Sequence, residues 1–172
     1  EKVLFNKIGP EVIDCPHHRA LALEAARRSM VLLKNDGTLP LSQENGAIAV
    51  IGPNANTLDV LLGNYNGTPS SYLTALDGIR TYFKGKTTFA KGCNLKGKNT
   101  SGFGKVARVA KNAAAVVLCL GLSPRLEGEE GDAVNADASG DKLSLKLPGV
   151  QEELLELLSQ TGKPLIVALF AG

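Results

Sequence analysis

Three short segments of the chain are apolar without interruption, and they restrict the fold more than any other feature. They cover residues 47–51, 113–122 and 164–171. A strand of a half-exposed sheet alternates apolar and polar residues, whereas a strand of a parallel sheet covered by helices on both faces is apolar on both. The runs therefore predict buried parallel strands, and residues 87–90 form a weaker fourth candidate.

Segments with helical periodicity alternate with these strands. The four segments in which apolar residues recur at spacings of three and four are residues 16–34, 73–83, 103–113 and 148–160. In the first helix Pro16 suits the first turn, and Asp14 is expected to cap it. The order of elements predicts an α/β fold, an open and mostly parallel doubly wound sheet with helices on both faces. With 44% apolar residues, the chain can bury such a core.

The net charge is only +2, but the charges are segregated along the chain. Residues 78–126 contain ten basic residues and no acidic ones, and residues 127–141 contain six acidic residues and no basic ones. A basic block can bind nucleic acid. Here the lysines lie among glycines and threonines, with few aromatic residues for base stacking. We therefore expect a solvated basic face and no nucleic-acid partner.

Residue counts disfavour several other classes of function. Cys15, Cys93 and Cys119 are an odd and widely spaced set, which suggests neither a disulfide framework nor a zinc site. His17 and His18 are the only histidines, so neither a His-rich metal site nor a serine triad is expected. No apolar run reaches the ~18 residues that a membrane-spanning helix needs. We expect no metal, no cofactor and no membrane partner.

In an open parallel sheet, chemistry is expected at the loops that follow the carboxyl ends of the strands. The loop at residues 52–56 (GPNAN) lacks the GxGxxG and P-loop patterns, so a nucleotide site there is disfavoured. The simpler interpretation is a strand-to-loop turn in which Asn54 and Asn56 are residues that tolerate unusual backbone angles. The loop after residues 113–122 runs about 25 residues to the next helix, and loops of that length are usually functional or disordered.

This second loop contains a crowded group of carboxylates at Glu127, Glu129 and Glu130. Like charges a few ångströms apart raise the pKa of at least one carboxyl group, which suits a general acid working near neutral pH. A solvated acidic loop, or a weak divalent-ion site, accounts for the same pattern. The residues alone leave these alternatives open.

Five separated motifs, taken together, resemble glycoside hydrolase family 3. They are HRALALEAARRSMVLLKNDGTLPL (18–41), IAVIGPNAN (48–56), LLGNYNGTPSSYLTALDGIR (61–80), GLSPRLEGEEG (121–131) and LPGVQEELLELLSQTGKPLIVALFAG (147–172). Their order matches the family's second, C-terminal α/β-sandwich domain, in its β-xylosidase and β-glucosidase branch. The resemblance implies that residues 1–14 are an inter-domain linker remnant and residues 15–172 are this domain. It also implies that the family's TIM barrel is absent from this chain and that the domain is truncated at its end.

By this resemblance the complete protein is a retaining, exo-acting β-glycosidase that hydrolyses terminal non-reducing β-linked sugars. The family's nucleophile lies in the TIM barrel. Its acid/base is a glutamate on the loop that follows residues 113–122 and contains Glu127, Glu129 and Glu130, which we name the acidic loop. Matching the family's Glu-x-Glu pattern assigns that role to Glu129, with Glu127 second and Glu130 third. Arg125 is expected to hold a carboxylate or a sugar hydroxyl, or to be a plain surface residue. The expected partners are a β-linked oligosaccharide or aryl glycoside and the barrel domain, and the chain alone is expected to be inactive.

Two other functions remain open at this point. A non-catalytic carbohydrate-binding or scaffold domain would share the fold, although retention of the acidic cluster argues against it. A nucleotide-binding, flavodoxin-like domain fits the topology but not the loops. The resemblance also suggests a secreted or periplasmic location. Apolar surface that a barrel would cover, at Leu4, Phe5 and Ile8 or at Leu61 and Leu62, makes self-association of the chain an expectation.

Overall fold

The computed structural model describes residues 4–42, 46–126 and 144–171. The chain forms two compact units, Glu1–Gly37 and Thr38–Gly172. The expected boundary between a linker and a domain at residues 14 and 15 stays a prediction.

The first unit contains a short 3-10 helix at Pro10–Val12 and helix α1 at Pro16–Ser29. None of the residues of α1 is buried, and Leu4 and Phe5 before it are almost 80% exposed. The predicted extent of this helix is wrong at its end, because Met30 already has an extended backbone. Apolar spacing does not separate a last helical turn from extended chain when no core contact selects between them.

The prediction that Asp14 caps α1 is also wrong. The residue at the cap position is Cys15, and its side chain makes no capping hydrogen bond. The Asp14 carboxylate instead accepts two hydrogen bonds from the Arg19 guanidinium, at 2.9 and 2.8 Å. A bidentate pair with arginine uses both carboxylate oxygens, and this competes with the backbone N–H groups of the first turn.

The second unit is built on one four-stranded sheet, in which every pair of neighbours is parallel. In the order β2-β1-β3-β4, its strands are β1 Ile48–Ile51, β2 Thr87–Ala90, β3 Ala115–Gly121 and β4 Leu165–Phe170. The helices between them are α2 Ala75–Tyr82, α3 Phe103–Lys111 and α4 Gln151–Ser159. Each element lies within a segment that the sequence predicts, and the α/β fold class is confirmed.

Alternate residues of β1 and β3 enter two separate cores, which explains why both strands are apolar throughout. One core joins β1 and β3 to α3 and α4 through Ala49, Ile51, Val106, Ala110, Val116, Leu118, Leu154 and Leu158. The other joins the same strands to α2 through Val50, Leu76, Val117 and Cys119. Helices therefore cover both faces of the sheet, as a doubly wound fold requires.

Strand β4 is less buried than its apolar sequence predicts. Among the described residues it pairs with β3 alone, and Val167 and Leu169 are 45% and 53% exposed. A strand with one neighbour loses the cover that a second neighbour and its helix would add. The prediction of burial on both faces is therefore wrong for β4 and right for β1 and β3.

Strands β1 and β3 lie side by side, yet the chain leaves them toward opposite edges of the sheet. From β1 it passes through α2 to β2 on one side, and from β3 through α4 to β4 on the other. The carboxyl ends of β1 and β3 thus form a topological switch point, and in open α/β sheets ligands bind in the crevice at such a point.

Candidate functional site

The loops that leave the switch point begin with two glycines that no other residue can replace without strain. Gly52 follows β1 with a φ of +120°, and Gly121 ends β3 with a φ of +132°. A Cβ atom on Gly52 would collide with the backbone of Cys119, and one on Gly121 with the backbone of Phe170. Both loops therefore leave the sheet in close contact with a neighbouring strand.

Asn54 connects the two loops directly. Its side chain is fully buried, and its Nδ2 donates a hydrogen bond to the carbonyl oxygen of Leu122 at 2.9 Å. Its backbone N–H also donates to the carbonyl oxygen of Cys119, at 3.4 Å. The tolerance of asparagine for unusual backbone angles is not used here, since neither Asn54 nor Asn56 has a positive φ. Asn54 acts through its side-chain amide, which holds the first residue after β3.

The loop after β1 is also held by the start of α2. Thr74 and Asp77 form a capping box, in which the Asp77 N–H donates to Thr74 Oγ1 at 3.2 Å and the Thr74 N–H donates to Asp77 Oδ2 at 3.1 Å. Thr74 Oγ1 also donates to Asp77 Oδ2, at 2.6 Å. The Leu76 N–H donates to the carbonyl oxygen of Ala55 at 2.9 Å. Hydrogen bonds from the Thr74 side chain and backbone lower the pKa of Asp77, because they favour its ionised form.

Gln151 is a functional candidate that the sequence reasoning missed. Its side chain is fully buried at the first residue of α4. Its Oε1 accepts a hydrogen bond from the Gly121 N–H at 2.8 Å, and its Nε2 donates to the carbonyl oxygens of Gly121 and Leu95 at 2.9 and 3.0 Å. The signal lay in its spacing, because Gln151 falls three positions before Leu154 and seven before Leu158, on the apolar face of the helix.

Arg125 lies on the loop after β3 and forms an ion pair with Asp59. Arg125 Nε and Asp59 Oδ2 are 3.0 Å apart, and the two side chains are 73% and 38% exposed. Asp59 belongs to a short 3-10 helix, Asp59–Leu61, in the connection from β1 to α2. The pair therefore adds a second link between the two loops, although exposed pairs contribute less than about 1 kcal/mol.

Glu127, Glu129 and Glu130 lie outside the described residues. The described chain reaches Leu126, which is buried, and resumes at Ser144 before α4. What the structure describes is the base of this acidic loop, where the chain leaves β3 and where it returns to α4. These two points, Gly121 at the end of β3 and Gln151 at the start of α4, are joined by buried hydrogen bonds.

The buried cysteines, the cavity and the possible metal ligands among the described residues do not form a second candidate site. Burial raises the pKa of Cys93 and that of Cys119 to about 11, so both thiols stay protonated near neutral pH. A shallow cavity of about 240 Å³ is lined by Lys86 and Arg108 among others, but it adjoins the amino ends of β1 and β2. Over residues 4–42, 46–126 and 144–171 there is no group of three His, Cys, Asp or Glu side chains placed to bind a metal. The same residues contain no helix with the length and hydropathy of a membrane span.

Comparison with known proteins identifies the family to which the chain is similar. Residues 30–172 match the family described as "Glycosyl hydrolase family 3 C-terminal domain". The chain is 38% identical over 174 residues to probable beta-D-xylosidase 7 of Arabidopsis thaliana, covering 99% of this chain and 21% of that protein. It is 39% identical over 179 residues to a beta-xylosidase of Formosa agariphila, covering 97% and 24%. The chain therefore spans about a fifth to a quarter of the length of these relatives.

Solved structures agree with this assignment. A GH3 exo-beta-xylosidase in complex with a xylobiose aziridine activity-based probe superposes with a TM-score of 0.76 at 37% identity, covering 88% of this chain and 18% of that one. The beta-glucosidase of Listeria innocua in complex with isofagomine gives a TM-score of 0.78 at 25% identity, covering 96% and 22%. In both, the match is one part of a much longer chain.

Proposed function

The chain belongs to glycosyl hydrolase family 3, and we propose that it is the domain that supplies the general acid/base of a retaining β-glycosidase. The observation that carries the proposal is the position of the acidic loop. It leaves β3 at the topological switch point of the sheet, where α/β folds bind ligands, and its base is held on both sides by buried hydrogen bonds. A loop built in this way can hold a carboxyl group at a defined place.

Glu129 is the proposed acid/base, with Glu127 as the second candidate and Glu130 as the third. In the first half of a retaining reaction, the protonated carboxyl group gives its proton to the oxygen of the leaving group while a carboxylate attacks the anomeric carbon. In the second half the same group, now ionised, removes a proton from water, which then displaces the carboxylate. The crowded glutamates favour a raised pKa, and hence a proton available at the start.

The nucleophile is proposed to come from a separate domain of the complete protein. A retaining enzyme needs two carboxyl groups about 5–5.5 Å apart, and one carboxyl group cannot both attack and protonate. The chain spans 21% of the Arabidopsis relative and 24% of the Formosa one, which leaves room for such a domain. We therefore expect the chain by itself to hydrolyse no glycoside at a measurable rate.

The proposed substrate is a terminal, non-reducing β-linked sugar in an oligosaccharide or aryl glycoside. The relatives and the superposed structures are named as β-xylosidases and β-glucosidases, so β-xylosides and β-glucosides are the first compounds to test. The barrel domain carrying the nucleophile is the proposed protein partner.

The decisive experiment restores the missing domain. Hydrolysis of p-nitrophenyl β-xyloside and β-glucoside is measured with the 172-residue chain alone, with a matching barrel domain alone, and with the complete two-domain protein. Activity is expected only in the complete protein. Hydrolysis by the chain alone would overturn the division of the site between two domains.

Single substitutions then identify the acid/base. In the complete protein we compare Glu129→Gln with Glu127→Gln and Glu130→Gln, which serve as matched controls two positions before and one after. The acid/base variant is expected to lose about 100-fold or more in kcat on p-nitrophenyl substrates. Azide should restore its turnover and yield a glycosyl azide, because an anion needs no base to attack the intermediate. If all three variants keep full activity, the domain is a non-catalytic scaffold or carbohydrate-binding unit.

A further inference from the structure

We propose that Gln151 is a positioning residue that closes the base of the acidic loop and so places the acid/base carboxyl group. This inference rests on the proposed function, because it concerns how the same loop is held. Gly121 is the last residue of β3 and Gln151 the first residue of α4, so the two residues bracket the loop. The Gln151 side chain joins one end of the loop to the other.

The geometry of this contact is specific. Gln151 Oε1 accepts from the Gly121 N–H at 2.8 Å, and Gln151 Nε2 donates to the Gly121 carbonyl oxygen at 2.9 Å. One amide side chain thus satisfies both backbone groups of a single residue 30 positions earlier in the chain. Two hydrogen bonds between the same two groups fix orientation as well as distance, whereas a single bond permits rotation.

A third hydrogen bond connects the Gln151 side chain to another segment of the chain. Gln151 Nε2 also donates to the carbonyl oxygen of Leu95, in the connection from β2 to α3, at 3.0 Å. Both N–H groups and the oxygen of the amide are therefore engaged, and the side chain is fully buried. A buried amide with every hydrogen bond satisfied is held rigidly, because each alternative position leaves a polar group unpaired.

Rigidity at this point bears on the chemistry of the loop. A long loop whose ends are fixed together has fewer arrangements than one whose ends move. A catalytic group must be held within about 0.5 Å of its productive position, and a displacement of 1 Å can reduce the rate about 100-fold. Asn54 and Asp59 hold only the outgoing end of the loop, through Leu122 and Arg125. Gln151 holds the outgoing and the returning end together.

The test uses the complete two-domain protein with Gln151→Met, which fills a similar volume and makes no hydrogen bond to Gly121. The matched control is Gln160→Met, the same change at the exposed end of α4. Values of kcat/KM are measured for aryl β-glycosides whose leaving groups range from 2,4-dinitrophenol to phenol. Proton donation matters most for the poorest leaving groups, since dinitrophenolate departs without a proton.

We expect Gln151→Met to reduce kcat/KM about 10-fold or more for phenyl glycosides and less than about 3-fold for dinitrophenyl glycosides. Gln160→Met is expected to behave as the unmodified protein on both. A merely structural role lowers the amount of active enzyme, which reduces both rates by one common factor. Equal loss on all leaving groups, or no loss, overturns the inference.

A second variant covers the case in which Gln151→Met does not fold. Gln151→Glu keeps the length and the acceptor for the Gly121 N–H but loses the donor for two carbonyl oxygens. The same dependence on leaving group is expected. Hydrogen exchange of the Gly121 N–H is expected to be faster in Gln151→Met, which removes its acceptor, than in Gln151→Glu, with unchanged exchange at β1. Unchanged exchange at residues 121–122 in both variants also overturns the inference.

Failure of this inference is separable from failure of the proposed function. If none of the glutamate variants gives an effect that depends on the leaving group, the acid/base assignment is wrong whatever Gln151 does. If one glutamate variant shows that dependence and Gln151→Met does not, only the positioning role is wrong.

Discussion

The loop after β1 and the loop after β3 start at the same, carboxyl end of neighbouring strands, yet they are held by different kinds of contact. The first is joined to the start of α2 by a main-chain hydrogen bond, from the Leu76 N–H to Ala55, 21 positions earlier, and α2 begins with the local capping box of Thr74 and Asp77. The second is held by Gln151, 30 positions away from Gly121, and by Asn54, 68 positions away from Leu122.

The difference shows how the residues at the base of a long loop are held in defined positions. The two connections are similar in length, since residues 52–74 separate β1 from α2 and residues 122–150 separate β3 from α4. After β1, main-chain hydrogen bonds and a helix cap supply the order, whereas after β3 the buried side-chain amides of Gln151 and Asn54 supply it. The contrast predicts that substitutions at remote anchors cost more stability than substitutions at local or exposed ones.

The largest effect is expected at the remote, fully buried anchor. Gln151→Met leaves the Gly121 N–H and two buried carbonyl oxygens without their partner, so the free energy of unfolding of the 172-residue chain should fall by about 3 kcal/mol. Urea denaturation measures this change. Gln160→Met, on the exposed end of the same helix, should change it by less than about 0.5 kcal/mol. Equal effects at both positions would remove the basis of the comparison.

A smaller loss is expected at the second remote anchor. Asn54→Ala removes the hydrogen bond to the Leu122 carbonyl oxygen, but it also removes the buried Asn54 Oδ1, which has no partner among the residues that the structure describes. These effects oppose each other, and the expected net loss is about 1.5 kcal/mol in the free energy of unfolding. Asn56→Ala, two residues later and exposed, is the control and should cost less than half as much. A cost for Asn56→Ala above that of Asn54→Ala would show that local contacts dominate.

The local anchor should show a pH dependence that the remote anchors lack. Thr74→Ala removes the capping hydrogen bonds of α2 and should cost about 1 kcal/mol at pH 7. Since Thr74 lowers the pKa of Asp77 in the folded state, the stabilisation that depends on the Asp77 charge is present above the unfolded value of 3.8. It is lost as the pH falls through the lower, folded pKa.

Unfolding of the Thr74→Ala and unmodified chains is therefore compared at pH 7 and at about pH 3, with Thr81→Ala as the control. Thr81 Oγ1 donates only to the Asp77 backbone carbonyl oxygen, so its cost should not vary with pH. A Thr74→Ala cost that is constant over this range would contradict the assignment of the lowered pKa to Thr74.

The smallest effect is expected at the exposed anchor. Arg125→Gln breaks the ion pair with Asp59 and should lower the free energy of unfolding by less than about 0.5 kcal/mol at low salt. At about 1 M NaCl the difference should vanish, because salt screens exposed charges. Asp59→Asn is the reciprocal variant and should have the same size and salt dependence. A loss as large as that of Asn54→Ala would mean that exposed contacts also order the loop.

Much of the fold could be predicted because the cause of each element is local. The alternation of apolar side chains into two cores makes β1 and β3 apolar throughout, and that pattern is visible in the sequence. Helix α4 was recognisable from Leu154 and Leu158 for the same reason. The errors fall where no local cause decides, at the end of α1 and at β4, whose burial depends on what lies beside it.

The residues of the candidate site also fall into two groups, those that the sequence identifies and those that only the structure identifies. The acidic cluster and its Glu-x-Glu pattern are sequence features, so Glu127, Glu129 and Glu130 could be named without a structure. Gln151 and Asn54 could not be assigned a role, because a lone amide in a sequence does not reveal which backbone groups it meets. Only the pairing of β1 with β3 brings Asn54 to Leu122.

By itself, the sequence determined the elements, the parallel sheet between two helical layers and the residues able to carry chemistry. These follow from periodicity and residue type, which act over a few positions of the chain. The tertiary structure alone decided the order of the strands, and with it the switch point and the anchors of the acidic loop. Those contacts join residues 30 and 68 positions apart, and a hydrogen bond at such a separation exists only after the sheet has brought its partners together.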